Sequence, residues 1–278
     1  MNKVSVITIS FNAVKDIEKT ILSVIHQTYQ DIEYIVIDGG STDGTKDLIQ
    51  KYRNQIAYFI SEPDNGIFDA MNKGIRAASG EWINFMNAGD YFYSNDSLEN
   101  LMHSTPNIQD FDIVYGYQVH SYNYGDYIRK KIPLSSFSYC MPIGHESSIV
   151  KTEIMKKHGF DCRYRIAADY NLFYKLFNNG SSFYSSDTIV AVFESSEGIS
   201  NSLKSTISTM KETAKVNGSY GSWNYYKTIG AVRIKILIKR ILYAISTDKV
   251  KSFLKKRRDH NPEFIPLSDF ISKRTPNA

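Results

Sequence analysis

The first ninety residues alternate between two apolar rhythms. Val4 to Ser10 is a short β-branched run, which predicts a buried strand. Residues 14–27 carry Ile17, Ile21, Val24 and Ile25, the spacing of one helix face. Residues 32–37 form a second apolar run. Ser41 and Thr42 then read as caps for a helix that continues through Leu48 to Tyr52. A third strand is expected over 57–61, a helix over 69–78 ended by Gly80, and a fourth strand over 82–86. Such alternation predicts an α/β fold, with a mostly parallel central sheet and helices on both faces.

The pattern loosens after residue 110. Strands are expected over 112–120 and 127–132, joined by a turn at 123–126, and again over 146–150 and within 183–193. Helices are expected over 152–158, 167–178 and 203–216. Farther on, Ile234, Leu237, Ile238, Ile241, Leu242 and Ile245 fall on one stripe, with Arg233, Lys235, Lys239 and Arg240 off it. Lys249, Lys251, Lys255, Lys256, Arg257 and Arg258 follow. A basic amphipathic helix of this kind suits an anionic membrane surface, although a helix packed on the domain shows the same moment. The expected organisation is an α/β domain over 1–218, a basic helical extension over 219–259 and an irregular tail over 260–278.

Composition changes this picture little. The 278 residues suffice for one such domain and an appendage, and the net charge of +4 is modest. Two cysteines, Cys140 and Cys162, make no disulfide framework. Residues 1–11 read as a strand rather than a signal peptide, and no stretch is apolar enough to cross a bilayer. These features lead to the expectation of a cytoplasmic protein, held at the inner membrane face if the basic helix binds lipid. No nucleic-acid-binding motif accompanies the C-terminal charge. Twenty tyrosines suit sugar and base contacts, and equally a Tyr-rich core.

In an open α/β sheet, ligands bind beyond the carboxyl ends of the strands. Ser10-Phe11-Asn12 follows the first strand, and Asp38 opens a Gly-rich turn after the second. Asp64-Asn65-Gly66 follows the third, and Asn87-Ala88-Gly89-Asp90 the fourth. Neither G-x-G-x-x-G nor a Walker A loop is present to hold phosphate. A divalent cation on carboxylates, Mn2+ or Mg2+, is the expected substitute.

The segments V-S-V-I-T-I-S-F-N, I-V-I-D-G-G-S-T-D-G-T, G-I-F-D-A-M-N-K-G-I and G-E-W-I-N-F-M-N-A-G-D closely resemble family 2 inverting glycosyltransferases of the GT-A fold. The likeness is greatest to bacterial enzymes of O-antigen, capsule and exopolysaccharide synthesis. It resumes at G-H-E-S-S from Gly144 and at I-A-A-D-Y-N-L from Ile166.

The resemblance implies a nucleotide-sugar donor, most simply a UDP-sugar, and a saccharide or undecaprenyl-diphosphate-linked acceptor. Asp38 matches an acid that meets the uracil base, and Thr8, Phe11 and Asn12 match the base-contacting edge. Phe11 offers a ring for stacking, or for ordinary packing. Asp64 and Asp69 match the nucleotide or sugar pocket, while Asp64-Asn65-Gly66 is also a plain turn. Asn72 caps or braces the site, and Lys73 meets phosphate or water. Asp90 matches the last acid of a D-x-D metal motif whose first acid is here Ala88, and His145 matches a further metal or diphosphate contact. Asp169 matches the catalytic base, with a helix N-terminus to stabilise its anion. Two rivals remain: a nucleotidyltransferase, and a sugar-nucleotide or membrane-binding module without activity.

Overall fold

The computed structural model describes residues 2–122, 125–194, 203–245 and 264–274. Its first half follows the apolar rhythm closely. Strands β1 (Val4–Ser10), β2 (Ile32–Asp38), β3 (Tyr58–Ser61) and β4 (Trp82–Phe85) lie parallel in the order β4-β1-β2-β3. Helices α1 (Ile17–Ile25), α2 (Thr45–Lys51) and α3 (Ile67–Ala77) connect them. Alternate residues of β1 and β2 enter opposite cores. Ile7, Ile9, Ile35 and Ile37 pack with Met71 and Ile75 of α3, whereas Val4, Val6, Tyr34 and Val36 pack with Ile17 and Ile21 of α1. A strand buried on both faces needs apolar residues in both phases, which explains the continuous runs in the sequence.

The start of α2 differs from expectation. Neither Ser41 nor Thr42 caps it. Gly44 is the N-cap, and Asp43 accepts hydrogen bonds from the Thr45 amide at 3.0 Å and from the Thr45 hydroxyl at 2.5 Å.

The second half is mostly antiparallel. After β5 (Tyr91–Phe92) and α4 (Ser97–His103) come β6 (Ile113–Tyr122), β7 (Gly125–Arg129) and β8 (Ser148–Lys151). Strand β8 runs antiparallel between β4 and β6, and β7 is antiparallel to β6. The expected parallel order therefore holds for the first four strands, and the complete sheet is mixed. Helices α5 (Thr152–His158) and α6 (Ala168–Asn178) precede β9 (Phe183–Glu194), which pairs parallel with β6 and antiparallel with β5. Helix α7 (Leu203–Val216) packs on α6, and α8 (Trp223–Ile245) follows.

The C-terminal end corrects the expectation of an irregular tail. Residues Phe264–Pro266 form β10, antiparallel to β7, and Leu267–Arg274 form α9. Phe270 packs edge-on against Tyr117, and Arg274 lies 3.5 Å from Asp187. A three-residue strand is stable here because the β7 edge supplies its ladder and aromatic rings cover it. The expected turn residues 123–124, the basic run from Lys249 to Arg258, and the side chains of Leu237, Ile241, Leu242 and Ile245 lie outside the described residues. Among the described residues, no helix is long and apolar enough to cross a membrane.

His120 on β6 lies under this C-terminal cover, edge-on to Phe193 and Phe264. Burial, reinforced by the charge of Arg129, lowers its pKa to about 4. An unfolded imidazole, with a pKa of about 6.5, binds the proton first as pH falls. The stability this neutral group contributes is therefore complete above about pH 6.5 and is lost as pH drops toward 4. Urea denaturation should show His120→Gln losing about 1–2 kcal/mol less than the parent between pH 7 and pH 5.

Candidate functional site

The parallel strands deliver their carboxyl ends side by side, and Asp38 ties three of them together. Ser10, Asp38 and Ser61 are cross-strand partners at the ends of β1, β2 and β3. Asp38 is 0% exposed and accepts five hydrogen bonds: from the Ser10, Ser41 and Ser61 hydroxyls and from the Gly40 and Ser41 amides. Burial pushes its pKa up, but bonds from Ser41, Ser61 and Ser10 outweigh burial and hold the carboxyl below its usual range. Asp38 thus stands at the strand end where a base contact was expected, and it is bonded throughout to its own loops. Its lone pairs are committed within the protein, and it acts as the anchor of the loops around it.

Thr8 is likewise bonded within the protein. It is wholly buried, donates to the Met86 carbonyl at 2.7 Å and pairs with the Tyr34 hydroxyl at 3.1 Å. Asn72 braces the fold. It bonds the backbone N–H and C=O of Phe160 at 2.8 and 2.9 Å, joining α3 to the loop that leads to α6. Lys73 is neither solvated nor free for phosphate, since Glu62 lies 2.8 Å from its ammonium and Pro63 accepts from it at 3.0 Å. Asp69 accepts the Asn65 amide at 3.0 Å and closes the turn into α3.

Three expected donor-side residues lie on the loops beyond β1 and β3. Phe11 is 65% exposed, and its ring and the Asp64 carboxylate flank Gly39. Asp64 accepts the Gly66 amide through Oδ1, which leaves Oδ2 on the Gly39 side. Asn12 is exposed, with its side-chain oxygen accepting the Thr42 amide at 3.0 Å. An aromatic face and a carboxylate at one loop cluster can stack on a planar base and accept its N–H.

The second cluster lies beyond β4 and beside β8. Asp90 is 6% exposed, with one carboxylate oxygen accepting the Glu194 amide at 3.2 Å. Its loop is held by Thr20 of α1, which accepts the Gly89 amide at 3.0 Å and donates to the Asp90 carbonyl at 2.7 Å. Gly89 has φ +105°, a conformation that other residues rarely adopt. Burial, and next the charge of Glu146, push the Asp90 carboxyl well above the carboxylate range, against the opposing effect of His145.

His145 is the centre of this cluster. Its Nδ1 lies 3.5 Å from Glu146 and 3.6 Å from Asp169, and its Nε2 lies 3.1 Å from the Asn87 amide. Burial disfavours the imidazolium, yet Glu146, Asp169 and Asp90 overcome it and raise the pKa to about 9. A doubly protonated ring needs an acceptor at Nε2. Asn87 supplies one when its amide is flipped so that Oδ1, otherwise unpartnered, faces the ring. His145 thus stands among the acids, at the place where its motif implies a metal or diphosphate contact. Glu146, 2% exposed, is the acid that the sequence reading passed over, although it stands in the same G-H-E-S-S segment. Gly144 lets it in: a Cβ there would sit 3.0 Å from the Glu146 carboxylate and 2.7 Å from Gln118.

Among the described residues, no three His, Cys, Asp or Glu side chains form a ready-made metal group. The cluster instead gathers three carboxyl groups, those of Asp90, Glu146 and Asp169, around one imidazole. That surplus of negative charge fits a divalent cation that takes Asp90 and completes its shell with ligand oxygens and water.

Asp169 lies in the first turn of α6, partly open to solvent, with its Oδ1 accepting the Tyr170 amide at 2.7 Å. The segment before it is clamped from α7. The Glu212 carboxylate accepts the backbone N–H groups of Arg165, Ile166 and Ala167 at 3.2, 2.9 and 3.0 Å. These amides lead into α6, whose N-cap is Ala167, so Glu212 fixes the entry to the helix from α7. A lone Glu on a helix offers no sequence signal for such a role.

The family model for glycosyl transferase family 2 matches residues 5–171. An uncharacterized glycosyltransferase of Mycobacterium tuberculosis is 34% identical over 171 residues, covering 60% of this chain and 65% of the relative. The chain thus spans just under two thirds of that relative. A PGL/p-HBAD biosynthesis glycosyltransferase of Mycobacterium bovis is 26% identical over 182 residues, covering 63% and 70% of the two chains. Among solved structures, the S. aureus TarS complex with UDP-GlcNAc matches with a TM-score of 0.60 at 20% identity, covering 77% of this chain and 66% of that one. The mannosyltransferase PcManGT from Pyrobaculum calidifontis, in complex with GDP-Man and Mn2+, matches with a TM-score of 0.62 at 17% identity, covering 94% and 82%. At such identities the likeness is one of fold.

Removing the Glu212 carboxylate should release the entry to α6. In Glu212→Ala, amide hydrogen exchange at Ile166 and Ala167 should accelerate by about tenfold or more, and Glu212→Gln, which keeps one acceptor, should restore part of the protection. Unchanged exchange in Glu212→Ala would rule out the clamp.

Proposed function

The chain belongs to glycosyl transferase family 2, and from that premise we propose that it moves a sugar from a UDP-sugar to a saccharide hydroxyl in one inverting displacement. The acceptor is a saccharide, free or carried on undecaprenyl diphosphate, in the assembly of a bacterial surface polysaccharide. The observation that carries this reading is the gathering of Asp90, Glu146 and Asp169 around His145 at the end of β4. A partly open carboxylate beside a buried acidic pocket provides a base on one side and a cation site on the other.

Asp169 takes the proton from the acceptor hydroxyl as its oxygen attacks the anomeric carbon. His145, 3.6 Å away, fixes the direction of the Asp169 carboxylate. A divalent cation held by Asp90, Mn2+ or Mg2+, would supply positive charge to the diphosphate leaving group. The Mn2+ complex of the mannosyltransferase of like fold supports this assignment. On the donor side, the Phe11 ring and the Asp64 carboxylate receive the base, with Asn12 at the same edge and Asp38 setting the loops in place. UDP and UDP-GlcNAc in complexes of S. aureus TarS support uracil as that base.

Helix α8 supports a peripheral position on an anionic membrane. Trp223, 82% exposed, with Tyr226, Ile234 and Ile238 forms an uncovered apolar face, and Lys227 and Arg233 lie beside it. The chain should sediment with phosphatidylglycerol vesicles and not with phosphatidylcholine alone, and a Trp223→Ser, Ile234→Ser double variant should lose most of that binding. Equal recovery with both vesicles, or an unaffected variant, counts against membrane docking.

Turnover is read by nucleotide release from a panel of UDP-, GDP- and dTDP-sugars with Mn2+ and a polysaccharide-repeat acceptor. One UDP-sugar should be consumed, with Asp169→Asn and Asp90→Ala each slower by roughly a hundredfold or more and activity lost on chelation. Undiminished turnover in both variants would remove the roles assigned to these acids.

A further inference from the structure

A cavity of about 720 Å³ opens beside Asp169, within the size range of small-ligand sites. One wall is the segment before α6 and α6 itself, with Tyr139 and Tyr170. The other is α7 and the start of α8, with Thr209, Met210, Thr213 and Tyr225. That second wall comes from residues beyond the 5–171 span of the family model.

The chemistry of the lining is one-sided. Among the described residues that line the cavity there is no Lys or Arg, and Asp169 is the one carboxylate. Lys215 of α7 stands over the Tyr220 ring instead. A phosphate or uronate entering here would shed its water and meet the Asp169 carboxylate with no Lys or Arg in the lining to pair with, which is costly on both counts. A neutral saccharide meets no such barrier. Its C–H faces can lie on tyrosine rings, and its hydroxyls can bond to the threonine hydroxyls. The Tyr170 ring is held in place by its hydroxyl, which donates to the Phe137 carbonyl.

Resting on the glycosyl-transfer reading above, we infer that this cavity is the acceptor site and that it admits an uncharged saccharide residue, read by Tyr225, Met210, Thr209 and Thr213. Any phosphate or lipid on the acceptor then stays outside the cavity, beyond the residue whose hydroxyl reaches Asp169.

Saturation-transfer NMR on the full chain with UDP and Mn2+ tests this directly. The probes are the p-nitrophenyl β-glucoside, β-galactoside and N-acetyl-β-glucosaminide, against p-nitrophenyl β-glucuronide and glucose 6-phosphate. At least one neutral probe should bind about tenfold more tightly than either anion. Tyr225→Ala should weaken it by about fivefold or more, while Tyr225→Phe, which keeps the ring face, holds most of the affinity. Preference for an anion, no binding of any neutral probe, or full affinity in Tyr225→Ala overturns the inference. UDP binding, followed separately by calorimetry, tells the two readings apart. UDP binding without neutral saccharide removes the acceptor assignment alone. Saccharide binding without UDP removes the donor reading and leaves a saccharide cavity.

Discussion

The fold of the donor edge depends on one buried carboxylate. Asp38 joins the ends of β1, β2 and β3 through five accepted hydrogen bonds. An unpaired charge at that depth would cost several kcal/mol, so the serines and the turn amides are as necessary as the acid. With those bonds in place, the turn after β2 has a single conformation, and the loops bearing Phe11, Asn12 and Asp64 settle against it. The sheet therefore positions its ligand loops through polar contacts at the strand ends rather than through core packing alone.

The acidic cluster beyond β4 works on the opposite principle. There the charges are left unbalanced, with three carboxyls to one imidazole, and the imbalance appears as raised proton affinity at Asp90 and His145. The Asp38 carboxylate is fully bonded, whereas Asp90 and its neighbours crowd acid against acid. The two behaviours stand at neighbouring ends of one sheet, separated by β1.

The strands and helices of the first half were legible because each buried element carries its own period. Polar residues at strand ends were harder to read. Thr8 and Asp38 sit where ligands bind in such sheets, and only the partners around them, Tyr34, Ser10 and Ser61, show that they face inward. Asn72 and Lys73 were ambiguous for the same reason, since Phe160 and Glu62 are fixed by the fold and not by spacing. Asp90, His145 and Asp169 were legible as a group through their motifs, and the structure brings them together. What the motifs did not reveal was the sharing of the imidazole between Glu146 and Asp169, which decides its charge. Strand β10 escaped notice because its partner on β7 is distant in sequence, and no local pattern announces so short a strand.

The Glu212 clamp has a consequence for how such a protein can diversify. It grips peptide N–H groups, which every sequence at positions 165–167 other than proline would provide. That contact therefore tolerates any change of side chain at these positions short of proline, whereas Val216 on the core and Asn217 on the Ser138 carbonyl still tie the end of α7 to this particular domain.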